Sequence, residues 1–230
     1  MAVASDAYVA GILDACLQVY TPKGRGASVS LKCKTPEHFK VVTDRFQPAK
    51  VTTSLNPASG ISSAVALYDA NTAHPLLLFA ADNCNIVDER AKRVLSGKIV
   101  EKVVEWMDTT DTMDLTDEWL AGLFDILGSI KVTAAKPAKE VVDAEEADAV
   151  GGSKEKPKKK RRVAGGSVEK KVVRLTLPVL CRGVLKHIAA ALDGVKWKEG
   201  ACYVEVKGDA LQTFVEVVPC VVFDAKAALP

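Results

Sequence analysis

A chain of 230 residues is long enough for one large domain or two small ones, each with a core of its own. Its 48% apolar and 26% charged content is that of a globular protein and excludes a wholly disordered or collagen-like chain. The net charge of +2 conceals an asymmetry: Lys154 to Arg162 holds seven basic residues and one acid, and +2 less this local +6 leaves −4 for the remainder.

In chain order, Val3, Ala7, Ala10, Ile12, Leu13, Cys16, Leu17 and Tyr20 fit one helix stripe, which Gly11 weakens by roughly 1 kcal/mol relative to Ala. Met1 to Leu17 lacks a basic leader and carries Asp6 and Asp14, a pattern that predicts no secretory signal. After the turn at 21–26, Val29, Leu31 and Cys33 alternate with polar residues as in a half-buried strand. Thr35-Pro36-Glu37 then opens a helix to about Phe46. Ala49 to Leu55, Ile61 to Tyr68 and Pro75 to Ala81 read as strands, the last apolar on both faces and expected at the sheet centre. No run approaches the roughly 18 uninterrupted apolar residues of a membrane-spanning helix.

From Ala91 to Met107 apolar residues recur at three and four, predicting an amphipathic helix. A second helix is predicted from Asp117 to Leu127, capped by Thr116, stapled by Leu115 and Leu120, and stopped by Gly128. Lys136 to Val168 has charges, glycines and prolines but no aromatic residue, so it reads as a disordered linker, acidic first and basic after. Val172 to Leu177 resumes as a strand, and a helix follows from Pro178. Val195 to Lys198, Cys202 to Val206 and Phe214 to Phe223 then read as strands, a β-α-β-β module. The N-terminal block has a similar order of elements without a residue-level repeat. The fold class is therefore α+β: two small mixed modules, 1–131 and 169–230, joined by a disordered charged linker at 132–168.

Within the linker, Pro157-Lys158-Lys159-Lys160-Arg161-Arg162-Val163 resembles the monopartite nuclear-localisation signal of the polyomavirus large T antigen type. The resemblance implies recognition by importin-α. The same cations, Lys154, Lys156, Lys158, Lys159, Lys160, Arg161 and Arg162, also suit phosphate neutralisation, or simple solvation of the linker. Two further places invite nucleic-acid contact. One is the basic turn with Lys23 and Arg25, and the other is Trp197 between Lys196 and Lys198, with Tyr203 on the next strand.

Reaction signatures are not found. Asp108, Asp111, Asp114 and Asp117 recur every three residues without the ligand alternation of a calcium loop, and capping of the following helix explains them better. His38, His74 and His187 are far from one another and from any cysteine at metal spacing. Cys84 reads as a buried thiol, and the six cysteines, with no CxxC pair, as reduced thiols of a cytosolic or nuclear protein. Ser96-Gly97-Lys98 falls inside a predicted helix and lacks the rest of a phosphate loop. The combined expectation is a non-enzymatic nuclear protein, cytoplasmic before import, that works on or near nucleic acid as a binding or assembly factor. Its expected partners are importin-α, DNA or RNA, and a partner protein or further copies of the chain, with no membrane, cofactor or metal. The alternatives are a structural subunit of a viral capsid or nucleoprotein assembly, and an enzyme without a recognisable motif.

Overall fold

The computed structural model describes residues 4–33, 36–55, 62–101, 115–133, 170–177, 182–192, 194–195, 197–198, 201–220 and 224–229. Of the expected linker, residues 134–168 lie outside them, whereas Val132 and Thr133 belong to a strand, Gly128–Thr133, paired across the linker. The fold is α+β, as the sequence predicts, and the structure makes both of its sheets antiparallel.

Helix α1, Asp6–Cys16, starts where the Ser5 side chain accepts from Tyr8 N at 3.2 Å. It ends four residues short of the predicted stripe, because Leu17–Tyr20 leaves it without a loop as strand β1. There the burial period switches to two, with Leu17 and Val19 inward and Gln18 exposed. Strand β2, Ser28–Cys33, pairs with β1. Helix α2, Pro36–Arg45, and strands β3, Lys50–Leu55, and β4, Ser62–Tyr68, follow as predicted, giving the sheet order β1-β2-β4-β3.

The predicted central strand at Pro75–Ala81 is instead part of helix α3, Ala70–Asn83. Asp69 and Thr72 form a reciprocal capping box ahead of the run. Ala73, Leu76, Leu77, Ala80 and Ala81 are the buried residues, a spacing of three and four. A short all-apolar run fits a buried strand or a buried helix, and the cap upstream decides between them. Helix α4 covers only Asp88–Leu95. The helix predicted to reach Met107 stops at Ser96, and Gly97 takes the left-handed conformation at φ 72°. The Gly-Lys pair thus lies beyond the helix rather than within it.

Helix α5, Asp117–Leu127, has the predicted Thr116 cap, its hydroxyl accepting from Trp119 N at 3.2 Å. It too passes without a loop into a strand, β5, Gly128–Thr133. Strand β5 pairs with β6, Lys170–Thr176, and β6 with β7, Tyr203–Val206, so the second sheet combines strands from both sides of the expected linker. Helix α6, Arg182–Ala191, lies between β6 and β7. The strand expected at Val195–Lys198 is absent among the described residues, where Gly194 turns the chain at φ 71°. The strand expected from Phe214 is helix α7, Asp209–Val217, with Leu211, Phe214 and Val218 buried at helical spacing. A short 3-10 helix at 225–228 follows.

The helices cover one face of each sheet. Val29, Leu31, Cys33, Ala66 and Tyr68 point into the first core, and Val173, Leu175, Val204 and Val206 into the second. Phe124 of α5 and Phe214 of α7 meet at 4.6 Å between ring centroids.

Candidate nucleic-acid interface

The two sheets hang from one helix pair. Tyr8-x-Ala10-Gly11-x-x-Asp14 in α1 recurs as Trp119-x-Ala121-Gly122-x-x-Asp125 in α5. This repeat is the residue-level signal that sequence analysis missed. A Cβ on Gly11 would lie 2.1 Å from Trp119 O, and a Cβ on Gly122 would lie 2.2 Å from Tyr8 O. Only glycine lets the two backbones meet this closely, so Gly11 is a packing requirement rather than a defect in the helix. The reciprocity of the two contacts is a local two-fold relation between the helices.

The polar groups obey the same relation. Trp119 Nε1 donates to Asp14 Oδ2 at 2.8 Å, and Tyr8 Oη donates to Asp125 Oδ2 at 2.6 Å. Asp14 also receives the backbone N–H groups of Asn85 on Oδ2, and of Ile86 and Val87 on Oδ1, all at 2.8–2.9 Å. These tie the corner between α3 and α4 to the seam. Burial raises the Asp14 carboxyl to about 6 against the opposing pull of its four donors. His38 Nε2 of α2 faces Asp125 Oδ2 at 3.5 Å, with both side chains buried. Burial, then the bond to Asp125, pushes the Tyr8 hydroxyl upward.

Cys16, which closes α1, approaches Cys33 Sγ at 3.2 Å and donates to Ile12 O at 2.9 Å. Cys84 is a buried thiol pushed upward by burial, as the sequence suggested. Among the described residues no three His, Cys, Asp or Glu side chains converge as a metal site requires.

The sequence-predicted contact residues are dispersed. Lys154, Lys156, Lys158, Lys159, Lys160, Arg161, Arg162 and Lys196, like Asp108, Asp111 and Asp114, lie outside the described residues. Lys23 and Arg25 are exposed in a turn in which Gly24 adopts φ 69°. Trp197 is half-buried off any strand, and its Nε1 donates to Ala201 O at 3.2 Å, so it does not share a sheet face with Tyr203 as supposed. Tyr203 does lie on β7, but the Arg174 guanidinium stands 4.2 Å from its ring centroid and is itself paired with Glu205.

What the fold does present is the pair of sheet faces turned away from the helices. On the first, alternation and register place Gln18, Lys32, Lys50 and Thr52 across the sheet, with the buried Ser30 and the exposed Leu67 between Gln18 and Lys50. On the second, Ser129, Lys131 and Thr176 share a face with the buried Val172, with Tyr203, and with Arg174 and Glu205, which neutralise each other. Gln18, Ser129, the lysines and the threonines are donors and cations of the kinds that read base edges and phosphates. None was singled out from sequence, because each is an ordinary polar residue within its own strand and the set exists only across the register.

No protein-family model and no curated protein matches this chain. Solved structures share its fold. The LAGLIDADG meganuclease I-AabMI bound to uncleaved DNA is 12% identical with a TM-score of 0.58, over 96% of this chain and 87% of that one. Meganuclease I-SmaMI on an uncleaveable DNA is 12% identical at TM-score 0.58, over 96% and 86%. I-SmaMI on an uncleaved target with calcium ions present is 10% identical at TM-score 0.51, over 97% and 87%. These likenesses correct the expectation of a non-enzymatic binding factor, because the solved chains that share the fold are described as meganucleases or homing endonucleases. They lend no support to the nuclear or viral readings.

The last of these structures was obtained with calcium ions present. The seam carboxylates of this chain do not fit such a cation, because Asp14 already accepts four hydrogen bonds and Asp125 faces Tyr8 and His38 in the interior.

Proposed function

We propose that this protein acts on duplex DNA, which it grips along the helix-free faces of its two sheets. One observation carries the reading. Two antiparallel sheets are joined through a two-fold helix seam, and each carries polar side chains on the face opposite its helical core, Gln18, Lys32, Lys50 and Thr52 on the first and Ser129, Lys131 and Thr176 on the second. A two-stranded ribbon or sheet fits the major groove, where such side chains distinguish base pairs. The fold neighbours in DNA complexes support the same reading, and strand scission is the reaction to assay on this chain.

The test is salt-titrated binding to a randomised duplex library, with selection for preferred sequences, alongside a plasmid nicking assay in Mg²⁺ and in Mn²⁺. Lys32→Ala with Lys50→Ala is expected to weaken binding and to lower the salt slope by about one for each phosphate no longer neutralised. Duplex affinity unaffected by these substitutions, or absent in the parent protein at low salt, would overturn the proposal.

A further inference from the structure

We infer that Asp14 and Asp125 form a reciprocal latch between the two helices and hold no divalent cation. The argument rests on acceptor capacity. An ionised carboxylate offers about four lone-pair sites. Asp14 has them filled by Asn85 N and Trp119 Nε1 on one oxygen and by Ile86 N and Val87 N on the other. A cation needs oxygen lone pairs at roughly 2.0–2.6 Å, so it would enter only by displacing donors that belong to the opposite helix and to the α3–α4 corner. Asp125 Oδ2 is engaged by Tyr8 Oη at 2.6 Å, has His38 Nε2 3.5 Å away, and its side chain has no exposed area.

The positions next along the two helices do not supply ligands in their place. Cys16 and Leu127 close the two helices, each two residues beyond its carboxylate, where α1 and α5 become strands. The Cys16 thiol is directed to Ile12 O and Cys33, and Leu127 has no polar side-chain atom. The seam is therefore held by the two glycine contacts and by protein–protein hydrogen bonds, with an aromatic donor of each helix on the carboxylate of the other. This concerns cation binding alone and does not depend on whether the sheets grip DNA.

The experiment uses Mn²⁺ as a paramagnetic probe on the full-length wild-type chain. The three tryptophans, Trp106, Trp119 and Trp197, give three indole N–H resonances in a ¹⁵N-labelled sample, assigned with Trp→Phe variants. The Trp119 proton points at Asp14, so a Mn²⁺ ion on that carboxylate would erase its signal. The expected result is a Trp119 peak that loses no more intensity than the Trp197 peak at tenfold excess Mn²⁺, with and without duplex DNA. Selective loss of the Trp119 peak would overturn the inference. For Asp125, the melting temperature in 10 mM Mg²⁺ or Ca²⁺ is compared between the parent and Tyr8→Phe, which frees one acceptor site. No cation-dependent rise is expected in the parent. A rise in the parent that Asp125→Asn removes would overturn the inference for that carboxylate. Failure to bind DNA in the same samples would count against the proposed function and leave the latch untouched.

Discussion

Gly11 faces the carbonyl oxygen of Trp119 so closely that a Cβ built on it would stand 2.1 Å away, inside any allowed contact. Gly122 has the same relation to Tyr8 at 2.2 Å. The obstructing atoms are backbone, which cannot swing aside as a side chain would. Gly11→Ala or Gly122→Ala should therefore cost roughly 3 kcal/mol or more, although alanine is the better helix former by up to about 1 kcal/mol. Denaturant unfolding of the two variants checks this. A neutral or stabilising result would mean that the helices are not in backbone contact.

Tyr8→Phe removes the donor to Asp125 without changing side-chain shape, and Trp119→Phe removes one of the four donors to Asp14. Each leaves a buried carboxylate short of a partner, and each should lower stability by about 1–3 kcal/mol, with the indole loss also opening a cavity. Double-mutant cycles pairing Tyr8→Phe with Asp125→Asn, and Trp119→Phe with Asp14→Asn, should show coupling within each pair and additivity between pairs.

Asp14 makes stability depend on pH in a sign opposite to that of a salt-bridged carboxylate. Its folded value of about 6 lies above the ordinary 3.8, so the folded state holds the proton more tightly than the unfolded state. The contribution is present below pH 4 and is lost as pH rises towards 6, a change of roughly 3 kcal/mol at 1.36 kcal/mol per unit. Unfolding free energies between pH 4 and 7 should decline more steeply for the parent than for Asp14→Asn. Parallel profiles would remove the assignment.

Thiol reactivity should rank by burial. Cys16, Cys33 and Cys84 are buried, and burial pushes the Cys16 and Cys84 thiols upward, whereas Cys202 and Cys220 are half-buried. In the native protein Cys202 and Cys220 should react with a colourimetric disulfide reagent ahead of the other three, Cys220 more slowly than Cys202 because burial raises its thiol to about 12. Peptide mapping after timed quenching gives the order, and early labelling of Cys33 would contradict it.

Much of the fold was readable from local chemistry. Thr116 capping α5, the period-two alternation of β2 and the strands at 50–55 and 62–68 follow from interactions within a few residues. The α+β class and the burial of Cys84 were legible for the same reason. The two helices mistaken for strands, around Leu76 and Phe214, are short apolar stretches in which period alone is ambiguous; the cap at Asp69 and the packing of Phe214 on Phe124 settled them.

The seam was present in the sequence as two seven-residue stretches and still went unread, because a glycine inside a helix looks like a weakness until its partner helix is known. Which carboxylate meets which aromatic donor, and which isolated lysines share a sheet face, depends on contacts between residues far apart in the chain. Sequence determined those elements whose caps and periodicity are unambiguous, such as α2, α5 and β2 to β4, since these are set by neighbours along the backbone. Tertiary structure alone decided that Asp14 lies within reach of Trp119 and that Lys32 and Lys50 stand on one face, since only packing and strand register bring such distant groups together.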